Sequence, residues 1–476
     1  MPKRMKPLLP LLLVALLSGC AAINPGEPSL SQTDATALGL QDTAIVWPTE
    51  QWWQRYQDPQ LNQLIEQALT GNPSLDAAQA RVNLANAAVG SARAVRLPHV
   101  DAGYQLNRQR FSENYIYPPP FGGSMQTDTS LRLDIGFDLD LWGKNRARYE
   151  AALSRQQAAQ ANAQMARNTL ISAVAQSYFN LQNALTQQQV LSQLVDQLEN
   201  VLSITRQRVT AGLDTEVEVN QADSAVSAAR VQLSQAATNA HLLRHQIAAL
   251  LGAGPQRGQD IHRVAMTPIP EQIPDSIPLS LLGRRPDIVA ARLRVEASGS
   301  EVSAAKAEFY PDVNLSAFAG FMSLGLSNLL EGRSQTYGVG PAITLPIFHG
   351  GALNAQLDAR QAERDLAIAD YNQTLLTAVR EVADATSSIQ SLQQQTQDQA
   401  ASLRAITSAY DIAVKRYKSG LGNFVQVLQA QNEVQKQALL NTDMQTRAYK
   451  LDAQLATALG GGYHTNSNDE TNTAAH

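Results

Sequence analysis

The sequence predicts a membrane α+β chain. It supplies four β-strands to a twelve-stranded barrel that closes only as a trimer, and long paired helices to a coiled-coil barrel continuous with it. Three observations carry this. Sequence motifs recur in two halves at a near-constant offset, each half holds two segments of strict apolar–polar alternation, and Pro-free helical patterns run from Gly143 to about Val209 and from Gly350 to Lys418.

The duplication sets the frame. Asn72-Pro73, Arg81-Val82, Ala92-Arg93 and Leu97-Pro98-His99-Val100 match Arg285-Pro286, Arg294-Val295, Ala305-Lys306 and Tyr310-Pro311-Asp312-Val313, all 213 residues on. Further along, Ala211-Gly212-Leu213 and Gln221-Ala222 match Ser419-Gly420-Leu421 and Gln429-Ala430, now 208 residues on.

The strand-like segments are about 99–111 and Leu131 to Leu141 in the first half, and about 312–322 and Tyr337 to Ile347 in the second. Leu131, Leu133, Ile135, Phe137, Leu139 and Leu141 share one face, and Arg132, Asp134, Gly136, Asp138 and Asp140 share the other. A half-buried soluble hairpin also alternates this way. The length of the segments and the aromatic residues Tyr104, Phe111, Trp142, Phe309, Tyr310 and Phe348 favour a barrel with an interfacial girdle. Ser112 to Asp128, with three consecutive prolines, would then form an outside loop. Four strands leave open edges whose backbone groups cannot be satisfied in lipid, so copies must associate. Two copies fill their own interior with side chains, whereas three leave room for water.

The helical pattern after Trp142 predicts a rod of about 100 Å. It turns at Ala211-Gly212-Leu213 and returns with Val219, Ala222, Val226, Ala229, Leu233, Ala236, Ala240, Leu243, Ile247 and Leu250 in 3-4 spacing. Small knobs in such a seam imply closely spaced axes. Val427, Ala430, Val434, Met444, Ala448, Leu451, Leu455 and Ala458 repeat it, interrupted by Gln437 and Asn441. Between the halves lies a linker with five prolines, and a helix over 286–308 leads back to the strands. The predicted organisation is 1–19 signal peptide, 20–58 lipidated and equatorial segment, 59–252 first repeat, 253–285 linker, 286–460 second repeat and 461–476 flexible tail.

Composition narrows the function. A net charge of −5 offers no clustered basic excess for nucleic acid. One Cys excludes an internal disulfide and a Cys-based zinc site. That Cys follows Lys3, Arg4, Lys6 and an apolar run from Leu8 to Leu17 too short to span a bilayer. The Leu17-Ser18-Gly19-Cys20 tetrad resembles the bacterial lipoprotein box, which implies an S-diacylglycerol and an N-acyl chain on Cys20. A plain signal peptide with an incidental Cys is the competing reading. Ala21 in place of Asp implies export to the outer membrane of a Gram-negative cell.

The chain as a whole resembles the outer membrane factor family, TolC-like outer-membrane efflux proteins, and its lipoprotein-type multidrug members in particular. The resemblance rests on Trp52-Trp53, Asp58-Pro59-Gln60-Leu61, Leu281-Leu282-Gly283-Arg284-Arg285-Pro286-Asp287, Phe309-Tyr310-Pro311, both Gly-containing tips and Gly460-Gly461-Gly462-Tyr463. It implies a homotrimer in outer-membrane lipid extending into the periplasm. Such a trimer receives drugs or other small toxic compounds from an inner-membrane efflux pump through a periplasmic adaptor (membrane fusion) protein, and conducts them out passively, without enzymatic activity or cofactor.

Mapped by motif, adaptor docking falls on Arg208, Gly212, Leu213, Arg416, Gly420 and Leu421. The constriction falls on Tyr417 with Glu216, Glu218, Gln426 and Gln429 along the lumen. A purely local reading has the glycines relieve tight turns while the arginines cap nothing on a wet surface. Gln426 and Gln429 stand where some relatives carry carboxylates, which leaves cation selectivity to Glu216 and Glu218. His241 and His245 lie four apart on a helix but lack the companion ligands of a metal site. Asp134, Asp138 and Asp140 fit a solvated barrel face better than a calcium loop. A protein-secretion duct, or a non-conducting lipid-anchored coiled-coil protein, are the alternatives; the paired strands argue against the last.

Overall fold

The computed structural model describes residues 29–41, 43, 45–114, 116–265 and 276–464. Cys20 and the rest of the lipoprotein box lie outside the described residues. The main elements are α1 (Pro59–Gly71), α2 (Pro73–Ala94), β1 (His99–Arg110), β2 (Met125–Asp138), α3 (Lys144–Thr210), α4 (Glu216–Leu250) and α5 (Leu281–Arg284). They continue with α6 (Pro286–Ala307), β3 (Asp312–Leu324), β4 (Gln335–Thr344), α7 (Ala352–Lys418) and α8 (Phe424–Ala458). Each half thus contributes two strands, a 22-residue helix, a 67-residue helix and a 35-residue helix. Two compact units divide them: Leu84–Gln157 with Arg292–Tyr371 in one, and Thr33–Asn83, Ala158–Ala291 and the chain from Asn372 onward in the other.

In the first unit the strands form one antiparallel sheet in the order β1-β2-β3-β4. Val100 pairs with Ile135, Leu131 with Phe321, and Ala319 with Tyr337. Among the described residues neither edge, β1 or β4, has a partner strand, and every residue of β1 is exposed. Leu131, Leu133 and Ile135 point to an open face, as do Tyr337, Val339 and Ile343 of β4. Water-facing sheets bury such a face; lipid accepts it.

Strand boundaries differ from the expectation at three places. β2 begins at Met125, inside the expected outside loop Ser112 to Asp128, because Met125 to Asp128 continue the ladder with β1, Asp128 pairing with Asn107. β2 ends at Asp138 rather than Leu141, and β4 at Thr344 rather than Ile347. For the end of β2 the cause is local chemistry. Asp140 turns to a positive φ of 41° and its two carboxylate oxygens accept the Asn145 and Arg146 N–H groups at 2.9 and 2.8 Å. Asp138 accepts from the Asn145 side chain at 2.7 Å. These acids cap the start of α3, satisfying donors a helix otherwise leaves orphaned. They are therefore not the free acidic barrel face that alternation suggested. Phe309 also departs from the girdle, packing against Val302, Ala305 and Leu357. Trp142 and Tyr310 do stack, 4.8 Å apart at 22°, and the Trp142 indole donates to the Pro311 carbonyl at 2.8 Å.

In the second unit the main core surrounds Trp52, Trp53, Tyr56, Leu61, Leu64 and Ile65, packed on Tyr178 and Phe179 of α3 and Tyr449 of α8. Asp58 caps α1 and also accepts the Tyr178 hydroxyl at 2.6 Å. Burial raises the pKa of Tyr178, so this phenol stays a donor. Across the same core Asp452 takes Tyr56 Oη at 2.7 Å and pairs with Arg55; burial raises its pKa as well.

The Arg-Arg-Pro-Asp run acquires a physical role here. Arg285, only 3% exposed, forks onto Asp287 at 3.0 and 2.6 Å, and gives its remaining nitrogen to Glu381 at 2.8 Å and the Ala458 carbonyl at 3.1 Å. A buried guanidinium so fully partnered fixes α6, α7 and α8 to one another. Gly460 sits beside it at φ 96°, where any Cβ would strike the Arg284 carbonyl oxygen.

The helical seam is where the 3-4 spacing puts it. Ala222, Val226, Ala229, Ala240 and Ile247 of α4 are buried and join Leu194, Leu198 and Val201 of α3 or the aromatic core. On α8 a second face also disappears from solvent: Gln431, Thr442, Thr446 and Tyr449 are buried alongside the expected Val427, Leu451, Leu455 and Ala458. Polar residues on that face conceal it from hydrophobic periodicity.

Candidate functional site: the paired hairpin tips

Both long hairpins, α3–α4 and α7–α8, reverse through five residues of matching construction. In the first, the Leu213 N–H reaches the Arg208 carbonyl at 2.9 Å and the Gly212 N–H reaches that of Val209 at 2.9 Å. In the second, Leu421 reaches Arg416 at 2.9 Å and Gly420 reaches Tyr417 at 3.1 Å. This double cap satisfies the last helical carbonyls and needs a left-handed residue, supplied by Gly212 at φ 73° and Gly420 at φ 76°. It also throws the following leucine outward: Leu213 is 64% exposed and Leu421 72%.

The return helices start with their own caps. Thr215 and Glu218 form a reciprocal capping box, with the Thr215 N–H donating to Glu218 at 2.9 Å. The Thr215 hydroxyl and N–H hold the Glu218 carboxyl below the usual carboxylate range. Glu218 is thus committed to a cap, while Glu216 beside it is exposed. Asn423 caps α8 by accepting the Gln426 N–H at 3.0 Å; the side chains of Gln426 and Gln429 are exposed.

Arg208 is not a wet residue without a partner. Its side chain is 12% exposed and it donates from Nε and Nη2 to the two Asp214 oxygens at 2.7 and 3.2 Å. Nη1 donates to the Tyr417 carbonyl at 2.9 Å, and the guanidinium lies 4.5 Å from the Tyr417 ring centre. The Tyr417 hydroxyl donates to Asp214 at 2.5 Å and lies 3.2 Å from Thr205 Oγ1. One knot of Thr205, Arg208, Asp214 and Tyr417 therefore ties the two hairpins of a single chain together. Its charges set the local pKa values: the Arg208 hydrogen bonds hold Asp214 low, while burial and then the Asp214 hydrogen bond push Tyr417 up. Arg416 also caps, donating to the Leu421 carbonyl at 3.2 Å. The local reading of both arginines as capping nothing is corrected accordingly.

Asp214 and Thr205 were not singled out by sequence. Their signal lay in divergence between the repeats: at the 208-residue offset Asp214 faces Gly422, and Tyr417 faces Val209. The knot is built where the two copies differ. His241 and His245 are exposed on α4, and the described residues contain no group of three or more His, Cys, Asp or Glu able to hold a metal ion.

Comparison with known proteins gives this architecture its class. The family model for outer membrane efflux proteins matches residues 64–253 and 277–461. The chain is 34% identical over 465 residues to the multidrug resistance outer membrane protein MdtQ of Escherichia coli O6:H1, covering 95% of this chain and 97% of that one. It is 32% identical over 460 residues to the multidrug resistance outer membrane protein MdtP of Escherichia coli K12, covering 94% of each. Among solved structures, the outer membrane protein VceC of Vibrio cholerae is 35% identical with a TM-score of 0.84, covering 88% of this chain and 100% of that one. The outer-membrane channel OprN is 29% identical with a TM-score of 0.83, covering 91% and 97%.

The chain belongs to the outer membrane efflux protein family. It is an outer-membrane efflux channel, not an enzyme, and the family needs no cofactor. Its fold class is the expected one: the family's trimeric arrangement of a β-barrel with a helical barrel, four strands coming from each chain.

Proposed function

We propose that three copies form the outer-membrane duct of a tripartite efflux system. It passively conducts drugs or other small toxic compounds handed over by an inner-membrane pump through a periplasmic adaptor, and the hairpin tips are the adaptor's docking points. The observation that carries this is the matched presentation of Leu213 and Leu421. Each is a large apolar side chain held outward by a rigid glycine cap, beside Arg208 and Arg416 respectively. Two such knobs per chain give a trimer six, a repeated apolar surface suited to a partner of the same or doubled symmetry. The names of the MdtQ and MdtP relatives support drugs as cargo.

In this reading Tyr417 sits at the constriction, and Glu216, Glu218, Gln426 and Gln429 face the lumen. With Glu218 engaged in its cap, Glu216 is the freer carboxylate for any cation preference. The lipid anchor on Cys20 has a structural companion. Asp365 of α7 accepts the Ser29 hydroxyl at 2.5 Å and the Ser29 and Leu30 N–H groups at 3.3 and 3.2 Å, clasping the chain nine residues after Cys20. Nine residues reach at most about 30 Å, so the clasp limits how far the acylated end travels. Mass spectrometry of the N-terminal peptide tests for the S-diacylglycerol and N-acyl groups, with residues 1–19 removed.

The decisive test is Leu213→Asp with Leu421→Asp in a strain that depends on this channel. Drug sensitivity should rise to that of the deletion strain while trimer and single-channel conductance persist. Unchanged sensitivity refutes docking at the tips, and a folded trimer that never conducts refutes the duct.

A further inference from the structure

Where β2 gives way to α3, the first unit holds an open cavity of about 510 Å³ lined by Arg96, Arg146, Trp142, Phe137, Leu139 and Leu141, floored by Asp138 and Asp140. Phe137 belongs to the apolar register of β2, the register of Leu131, Leu133 and Ile135, so the cavity opens on the side of the sheet that faces lipid. Leu139, Leu141 and Trp142 are 40, 63 and 50% exposed, a cost in water and a match for acyl chains. Trp142 is also stacked on Tyr310 and anchored to the Pro311 carbonyl, the fixed amphipathic ring of a headgroup boundary.

The polar part of the lining is basic where it is accessible. Both carboxylates are consumed internally: Asp140 by the Asn145 and Arg146 N–H groups, Asp138 by the Asp140 N–H, the Asn145 amide and Lys144. The two guanidiniums project from exposed residues. Arg96 lies over the Tyr149 ring at 5.1 Å, and Arg146 approaches Glu150 only at 3.8 Å, an i,i+4 pair between solvated groups. An exposed pair of this kind is worth little and yields readily to a better acceptor. The guanidinium geometry matches phosphate, and both side chains border a cleft whose other accessible side chains are mainly leucine and aromatic, the two carboxylates being engaged with α3.

We propose that this cavity binds the headgroup of an anionic phospholipid from the bilayer leaflet on the helix side of the barrel. Arg96 and Arg146 hold the phosphate, Trp142 lies at the glycerol level, and one acyl chain runs along Phe137, Leu139 and Leu141. The inference rests on the membrane placement of the sheet and is independent of the pump, the adaptor and the cargo. The proposed acylation of Cys20 would tether only the N-terminal end, whereas this site would fix the depth and tilt of the barrel wall itself.

The test uses full-length trimer in vesicles of phosphatidylethanolamine carrying a minor fraction of brominated phosphatidylglycerol or brominated phosphatidylcholine. Quenching of Trp142, isolated as the difference between wild type and Trp142→Phe, reads occupancy. Two basic residues, each worth about fivefold toward an anionic headgroup, should favour phosphatidylglycerol by about twenty-five-fold. Arg96→Glu with Arg146→Glu should abolish the preference while conductance persists. Arg146→Glu lies in the first turn of α3, where a carboxylate suits the helix dipole, and Arg96 lies beyond the end of α2 at Ala94, so the double variant keeps both helices. Equal quenching by both lipids, or an unchanged preference in the double variant, overturns the proposal. Displacement by soluble glycerol 3-phosphate would overturn the assignment to a membrane lipid in favour of a free phosphate ester.

Discussion

Replacing Asp214 by Ala should loosen the hairpin tips while leaving the rest of the chain intact. Asp214 is the acceptor that Arg208 and Tyr417 share, receiving hydrogen bonds at 2.7, 3.2 and 2.5 Å. Without it, Arg208 keeps the Tyr417 carbonyl and Tyr417 keeps Thr205. Each charge-assisted bond is worth about 1.5–3 kcal/mol net, and the lost group lies near solvent, so the tie weakens by about 2–3 kcal/mol rather than by their sum. Hydrogen exchange of the tip amides, including those of Leu213 and Leu421, reads this directly. Protection should fall by about 30- to 150-fold if the tips open as a local unit. Protection within threefold of wild type would refute the knot as the tie between hairpins. The pH dependence has a definite sign. Asp214 is held below its unfolded value, so its contribution is complete above about pH 4 and is lost as pH falls through the lower folded value. Wild-type tips should therefore lose protection on acidification below that point, and Asp214→Ala tips should not.

Three positions of the second unit give further expected outcomes. Arg285→Ala leaves Asp287 and Glu381 without their shared cation and should cost about 3–5 kcal/mol, read as a lower thermal midpoint of the detergent-solubilised trimer. Lys at that position should recover only part, since it cannot fork onto Asp287. Gly460→Ala should cost more than the roughly 1–3 kcal/mol of backbone strain alone, because its methyl meets the Arg284 carbonyl. Gly254, at φ −70° with open space around it, should accept Ala within about 0.5 kcal/mol.

Much of the fold was legible because its signals are periodic and occur twice. Alternation at Leu131, Leu133 and Ile135 and 3-4 spacing from Val219 to Leu250 each report a face that must leave water. The Gly212 and Gly420 turns were visible as breaks between Pro-free helices. Less legible were places where polar side chains outcompete the periodic pattern. Asp138 and Asp140 continue the alternation on paper but take the α3 N–H groups instead, ending the strand three residues early. Gln431, Thr442 and Thr446 are buried on α8 although no apolar period marks their face.

What the amino-acid order determined by itself was the set of elements, their duplication and the need for other copies to close the sheet. These depend on interactions near in sequence and on the rule that backbone in lipid must be paired. Only the tertiary structure decided which residues meet. Asp214 reaches Tyr417 across 203 residues and Arg285 reaches Ala458 across 173. Hydrogen bonds of a few ångströms between such distant positions carry no periodicity. They arise when packed helices bring the side chains within reach, so the chemistry of the tips is a property of the assembled hairpins.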